Sequence, residues 1–106
     1  MAENKSDHFS VKKQRLSVYA QALSHPAKVA ILELLSENGS MTCGEITGRL
    51  PLAQATVSQH LNNLILSGLV VRIKDGLKSN YSLKSHNIDQ MRTLIYEVMN
   101  KLSNPL

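Results

Sequence analysis

Apolar residues recur at helical spacing in five segments of this chain and alternate with polar ones in one further stretch. The order of these segments predicts the architecture. The first helix covers about residues 10–23, with Val11, Leu16, Tyr19, Ala20 and Leu23 on its apolar side and Lys12, Lys13 and Arg15 outside. His25-Pro26 restarts the chain, because proline suits a helix first turn, and a second helix runs over about 26–37. Val29, Ile31, Leu32, Leu34 and Leu35 make it broadly apolar, as a central core helix should be, and Asn38-Gly39 ends it. A short third helix, about 42–49, opens with Thr42 as cap and Glu45 three residues on, the spacing of a capping box. Leu50-Pro51-Leu52 makes a turn, and a fourth helix runs over about 53–67. The segment 1–8 is polar and is expected to fray, leaving 9–106 as one folded domain.

The fourth helix is the most informative. At about 100° per residue, Val57, Leu61, Leu64 and Ile65 fall on one side, while Ala55, Thr56, Gln59, Asn62 and Asn63 fall on the other. A surface helix ordinarily covers its outer face with Lys and Glu. This one offers short neutral hydrogen-bonding groups of the kind that reach base edges in a DNA major groove. Taken alone, the helix fits equally well as an amphipathic helix with a polar outside.

The next segment of the chain shifts that balance. Residues 69–74 and 79–84 read as two strands around a loop at 75–78, with Asp75-Gly76 as the turn signal and Tyr81 and Leu83 alternating against polar neighbours. A helix with a bare polar face, then Gly68, then a hairpin carrying Arg72, Lys74 and Lys78, is the layout of a winged helix-turn-helix. The predicted fold is therefore mainly α with a small β-hairpin, in the order α-α-α-α-β-β-α. In that layout the helix enters the major groove and the wing lies along the backbone or minor groove. The last helix, about 88–102, places Ile88, Met91, Ile95, Val98 and Leu102 in a seam two heptads long, with Leu94 and Met99 beside it. The seam can pack on the domain's own core or against the same helix of a second subunit. The dimeric reading is preferred, with Leu16 and Tyr19 of the first helix joining the interface.

Charge placement agrees with a phosphate-binding surface. The net charge is +4, of which residues 40–84 carry +3, residues 1–39 carry +1 and residues 85–106 none. A generic basic protein with solvated lysines would share the total. The single cysteine, Cys43, precludes an intrachain disulfide, no apolar run reaches membrane-spanning length, and residues 1–10 lack a signal-peptide apolar stretch. A cytoplasmic protein without membrane association is expected. There is no Gly-rich phosphate loop, no paired carboxylates at pocket spacing and no triad, so an enzyme is not expected.

Several stretches, in the right order, resemble ArsR/SmtB-type bacterial repressors: Ala22-Leu-Ser-His-Pro-Ala-Lys-Val-Ala-Ile-Leu-Glu-Leu-Leu35, Ala55-Thr-Val-Ser-Gln-His-Leu61, Ser67-Gly-Leu-Val70, and Asp75-Gly with Tyr81-Ser-Leu83. The resemblance spans roughly residues 16–84. It implies a homodimeric transcriptional regulator, usually a repressor that leaves a palindromic operator on sensing a signal. It also implies Thr56, Ser58, Gln59 and His60 as reader positions, beside Asn62 and Asn63. Thr56 and Gln59 point outward on the helical wheel. Ser58 and His60 lie on the flanks, where Ser58 can instead bond locally and His60 can pack against helix three. One departure is Ala53, which stands where the family often has a capping Ser, at a cost of about 1 kcal/mol.

The family's inducer sites are not matched. The thiolate position on helix three aligns with Thr42, and Cys43 is shifted by one residue, about 100° of helix. The carboxylate and histidine positions on the last helix align with Ser85, Asn87, Val98 and Lys101, of which Val98 cannot ligate. No metal and no cofactor are expected, although His86 near the last helix could take part in a divergent site. Cys43 is read as a small buried thiol, with an intersubunit disulfide or sulfenylation as the alternative. The competing functions are a winged-helix protein-interaction module without DNA readout, and a metal- or redox-responsive repressor with a divergent site.

Overall fold

A computed structural model describes residues 8–106; residues 1–7, which make up most of the segment expected to fray, lie outside the described residues. The element order is α1 (Val11–Ala22), α2 (Pro26–Asn38), β1 (Ser40–Thr42), α3 (Cys43–Thr47), α4 (Gln54–Ser67), β2 (Val70–Asp75), β3 (Lys78–Leu83) and α5 (Ser85–Ser103). This is a winged helix-turn-helix with one strand more than the sequence pattern suggested. β1 pairs antiparallel with β3, Met41 opposite Tyr81, so the hairpin becomes a three-stranded sheet in the order β1-β3-β2.

Local chemistry sets the helix ends. The Ser10 hydroxyl accepts from the Lys13 N–H and opens α1. His25, extended as a residue before proline must be, caps α2 by accepting the Ala27 N–H on its Nδ1 at 3.0 Å. Gly39, at φ 80°, closes α2. Thr42 and Glu45 exchange both bonds of the capping box, at 2.9 and 3.1 Å, so α3 starts abruptly where β1 stops. Those bonds, chiefly the Thr42 backbone N–H, together with the Lys78 charge, hold the Glu45 carboxyl below its usual range.

The core gathers one face from every helix. Ile31 and Leu35 of α2, Ile46 of α3, and Val57, Leu61 and Leu64 of α4 pack with Leu69, Val70 and Tyr81 of the sheet. Tyr19 is fully buried among them, and its hydroxyl donates to Gln90 Oε1 of α5 at 2.6 Å. It therefore has no surface left for a subunit mate. The sequence pattern placed it at a dimer interface; the structure assigns it to the core of its own chain, because its ring is enclosed there while its one polar atom finds a partner on α5.

Candidate nucleic-acid interface

α4 carries no charged side chain over its 14 residues. Val57, Leu61 and Leu64 bind it to the core, and Gln59, Asn62 and Asn63 stand exposed on the far side. Thr56 and Ser58 are half-buried, so Thr56 is less outward than its place on the helical wheel implied. Ala53 holds the N-cap geometry, φ −69° and ψ 150°, but provides no side-chain bond to the first turn. The first amides of α4 consequently point outward without a side-chain acceptor, a surface that suits an anion.

His60 sits on the flank of α4 and meets α2 through its cap. Its ring lies 4.6 Å from that of His25, tilted by 44°, and its Nδ1 is buried without a hydrogen-bond partner. Burial first, then the facing His25 and Lys28, hold its pKa below the ordinary value of 6.5. A neutral imidazole here joins α4 to the α2 cap. The sequence alternative, packing against helix three, does not name His25, because the two histidines lie on different helices and share no spacing.

The wing extends past the core. Only Val70 of β2 is buried, and Arg72 to Asp75 are exposed. Arg72 and Lys74 share the sheet face that holds Val70 and Tyr81, since directly paired residues lie on one side. Arg72 Nε donates to the Ser79 hydroxyl at 3.1 Å, which braces it along the strand. Lys78 is on the opposite face, paired with Asp75 across the turn. The loop is shorter than the expected 75–78: Asp75 and Lys78 pair as the strand ends, and Gly76 and Leu77 form the turn. Gly76 has φ 63°, and among the described residues none other than glycine has positive φ, so this is a II′ turn with glycine at its first position.

α5 has an apolar stripe wider than its contact with its own chain uses. Leu94 is buried, and Ile88 and Met91 pack against the core. Ile95 and Val98 remain half-exposed, while Tyr96 (70%), Met99 and Leu102 (68%) are open. Phe9 and Val11 at the start of α1 are open as well. Leu16 is half-buried against its own core. At the other end, the Asn87 amide donates to the Gly68 carbonyl at 2.7 Å. Asn87, which aligned with a metal-ligand position, thus ties α5 to the C-cap of α4. Cys43 is half-buried against the core. Among the described residues no cluster of three or more His, Cys, Asp or Glu is poised for a metal, and no helix is long and apolar enough to cross a membrane.

Residues 25–71, from the α2 cap to the start of the wing, match the family described as bacterial regulatory protein, arsR family. An uncharacterized HTH-type transcriptional regulator of Methanocaldococcus jannaschii is 32% identical over 87 residues, covering 82% of this chain and 98% of that protein. The arsenical resistance operon repressor of Staphylococcus xylosus is 32% identical over 76 residues, 72% of each chain. The transcriptional activator HlyU of Vibrio cholerae is 32% identical over 81 residues, 76% of this chain and 74% of that one. A solved HlyU structure superposes with a TM-score of 0.70 at 28% identity, covering 88% of this chain and all of the other.

Proposed function

This chain belongs to the ArsR family of bacterial regulatory proteins and is a DNA-binding transcriptional regulator, and on that footing we propose that it is a homodimeric cytoplasmic repressor of a palindromic operator. α4 enters the major groove, where Gln59, Asn62 and Asn63 meet base edges. Thr56, Ser58 and the first amides of α4 contact phosphate, and His60 holds the helix from behind. Arg72, Lys74 and Lys78 run along the backbone beside the minor groove. The observation that carries the reading is a charge-free helix presenting three exposed amides next to a cationic hairpin. Amides read bases, and a partner protein's surface would be met by a more apolar or aromatic face. Repression by occupancy needs only what these residues supply, whereas activation also needs a surface for the polymerase.

Dimerisation is argued from the unused stripe of α5. Ile95, Val98, Met99 and Leu102, with Val11 of α1, pack on the same residues of a two-fold mate, and Ile88, Met91 and Leu16 support them from inside. Ile95→Asp is expected to give monomers by sedimentation and to weaken operator binding sharply, since two half-sites are then no longer held together. A stable wild-type monomer at micromolar concentration refutes the dimer.

DNA selected from a random pool tests the readout. Gln59→Ala should relax preference at one base per half-site, a bidentate adenine contact being worth about 1–3 kcal/mol. Lys78→Ala should weaken all sequences alike. Equal effects of the two changes on selected and random DNA overturn the assignment. A reporter fused to the selected site gives the sign of regulation.

A further inference from the structure

The geometry points to Leu77 as an apolar wedge that enters the minor groove from the wing tip and parts a base step. It gives this chain a specificity element that makes no hydrogen bond to DNA. The inference rests on the reading of the hairpin as a DNA-contacting wing.

Leu77 has no role in its own fold. It is fully exposed, at the end of a hairpin whose outer half lies beyond the core. Its backbone does not require it either: the positive φ of the turn falls on Gly76, and Leu77 keeps an ordinary negative φ that any polar residue adopts. Turn tips usually carry Asn, Asp, Gly or Ser, which bond locally and stay hydrated. A leucine there exposes its whole side chain to water. The pairing of Asp75 with Lys78 produces this placement: it leaves a two-residue loop with Gly76 first and Leu77 second.

The surroundings identify the partner chemistry. Lys78 adjoins Leu77, Lys74 lies just across the turn, and Arg72 is one pleat further back. An exposed apolar tip on a hairpin with cations on both faces, Arg72 and Lys74 on one and Lys78 beside Asp75 on the other, makes a poor seat for an apolar protein groove and a good one for a polyanion with a narrow apolar slot. The minor groove, about 6 Å wide and walled by phosphates, has that form. Leucine is among the side chains that architectural proteins insert between base steps there. Unstacking is easiest at pyrimidine–purine steps, TA and CA/TG, so a wedge selects sequence through deformability.

The test uses the full chain and the duplex recovered by selection from random DNA, with 2-aminopurine replacing adenine at successive steps under the wing. Wild type is expected to raise the fluorescence at one step per half-site. Leu77→Ser should abolish that rise and lower affinity about tenfold for duplexes with TA or CA at that step, the size of effect one mismatched position carries. It should lose little on duplexes with a stiff A-tract there, so the preference for the step flattens. Leu77→Met should keep both the signal and the preference. Because the side chain is fully exposed, thermal melts of both variants should match wild type. If Leu77→Ser retains the fluorescence rise, or weakens every duplex alike, the wedge falls while the DNA-binding reading stands. If wild type enriches no sequence at all, both fall.

Discussion

Gly68 and Asn87 form a coupled pair whose energetics are open to direct measurement. Gly68 closes α4 at φ 88° and ψ 3°, a left-handed conformation. A Cβ at that position would stand 3.1 Å from Asn87 Nδ2, the same atom that donates to the Gly68 carbonyl at 2.7 Å. Gly68→Ala should therefore cost twice. The left-handed backbone costs an L-residue about 1–2 kcal/mol, offset by about 0.4–1 kcal/mol from a less flexible unfolded chain. Displacing the Asn87 amide should cost about 1 kcal/mol more. Together the expected loss is about 1–3 kcal/mol. Asn87→Ala alone should cost about 1 kcal/mol, because the bond disappears without backbone strain. In the double variant the bond is lost only once and the crowding is gone. The two changes should then fall short of additivity by about 1 kcal/mol. The assay is a double-mutant cycle by urea and thermal unfolding at one fixed protomer concentration, since a dimer's stability depends on concentration. At about 4–8 °C per kcal/mol for a domain slightly smaller than this one, the shifts are easily resolved. Additivity within about 0.3–0.5 kcal/mol, the behaviour of independent sites, would refute the reasoning, and so would a neutral Gly68→Ala.

Three further outcomes concern individual sites. Below pH 6.5 the unfolded chain takes up a proton at His60 that the fold resists, so stability should decline as pH falls through 6.5 and level off once the lower folded pKa is passed; above 6.5 His60 adds no pH dependence. His60→Gln should flatten that slope in urea melts between about pH 7 and 5, and an unchanged slope excludes His60 as its source. Ala53→Ser places a hydroxyl on a backbone already in N-cap geometry, and should raise stability by about 0.5–2 kcal/mol; no gain in a thermal melt means that the first turn is capped by other means. If Arg49, Arg72, Lys74 and Lys78 of two subunits neutralise about 6–10 phosphates, log affinity should fall against log salt with a slope of roughly −5 to −9, and a shallow slope equal on selected and scrambled DNA argues for a protein-interaction module.

The helices were legible because their ends and faces are local. The Thr42–Glu45 capping box and the Gly39 stop lie within a few residues of the turns they make. β1 was not legible. It is only three residues long, Met41 is its one buried side chain, and its partner Tyr81 lies on a distant strand. The hairpin was visible, and its strands pair in the register that a loop at 75–78 implies, Lys74 opposite Ser79, with one further pair that shortens the loop to Gly76 and Leu77. Asp-Gly most often fills both loop positions, whereas here Asp75 pairs with Lys78 and leaves glycine the first loop position. Opposite charges facing across the last strand pair favour that register.

Residues whose role depends on a second element were the hardest to read. A helical wheel places Tyr19 on the apolar side of α1 without saying whether the core or a subunit mate covers it; the bond to Gln90 decides for the core. His60 falls on the flank of α4 in any wheel, and only the fold brings His25 against it. Leu77 does carry a local signal, an apolar residue directly after a turn dipeptide, where no core can reach it.

Two hydrogen bonds tie α5, the helix of the proposed interface, to the rest of its own chain. Tyr19 binds Gln90 in its first half, and Asn87, nearly one turn earlier, binds the carbonyl of Gly68. The end of α4 is thus fixed to the helix whose apolar stripe is proposed to meet the mate. Two-fold sites on DNA repeat at about 34 Å, one helical turn, and a dimer can engage both only if its α4 helices stand at matching distance and angle. In the proposed dimer that distance would be set through α5 and the Asn87–Gly68 bond. A change in how the two α5 helices pack would tilt α4 at its C-terminal end while His60 and His25 hold it against α2. In the proposed dimer, the packing of the two α5 helices and the Asn87–Gly68 bond would together set the angle at which α4 meets DNA.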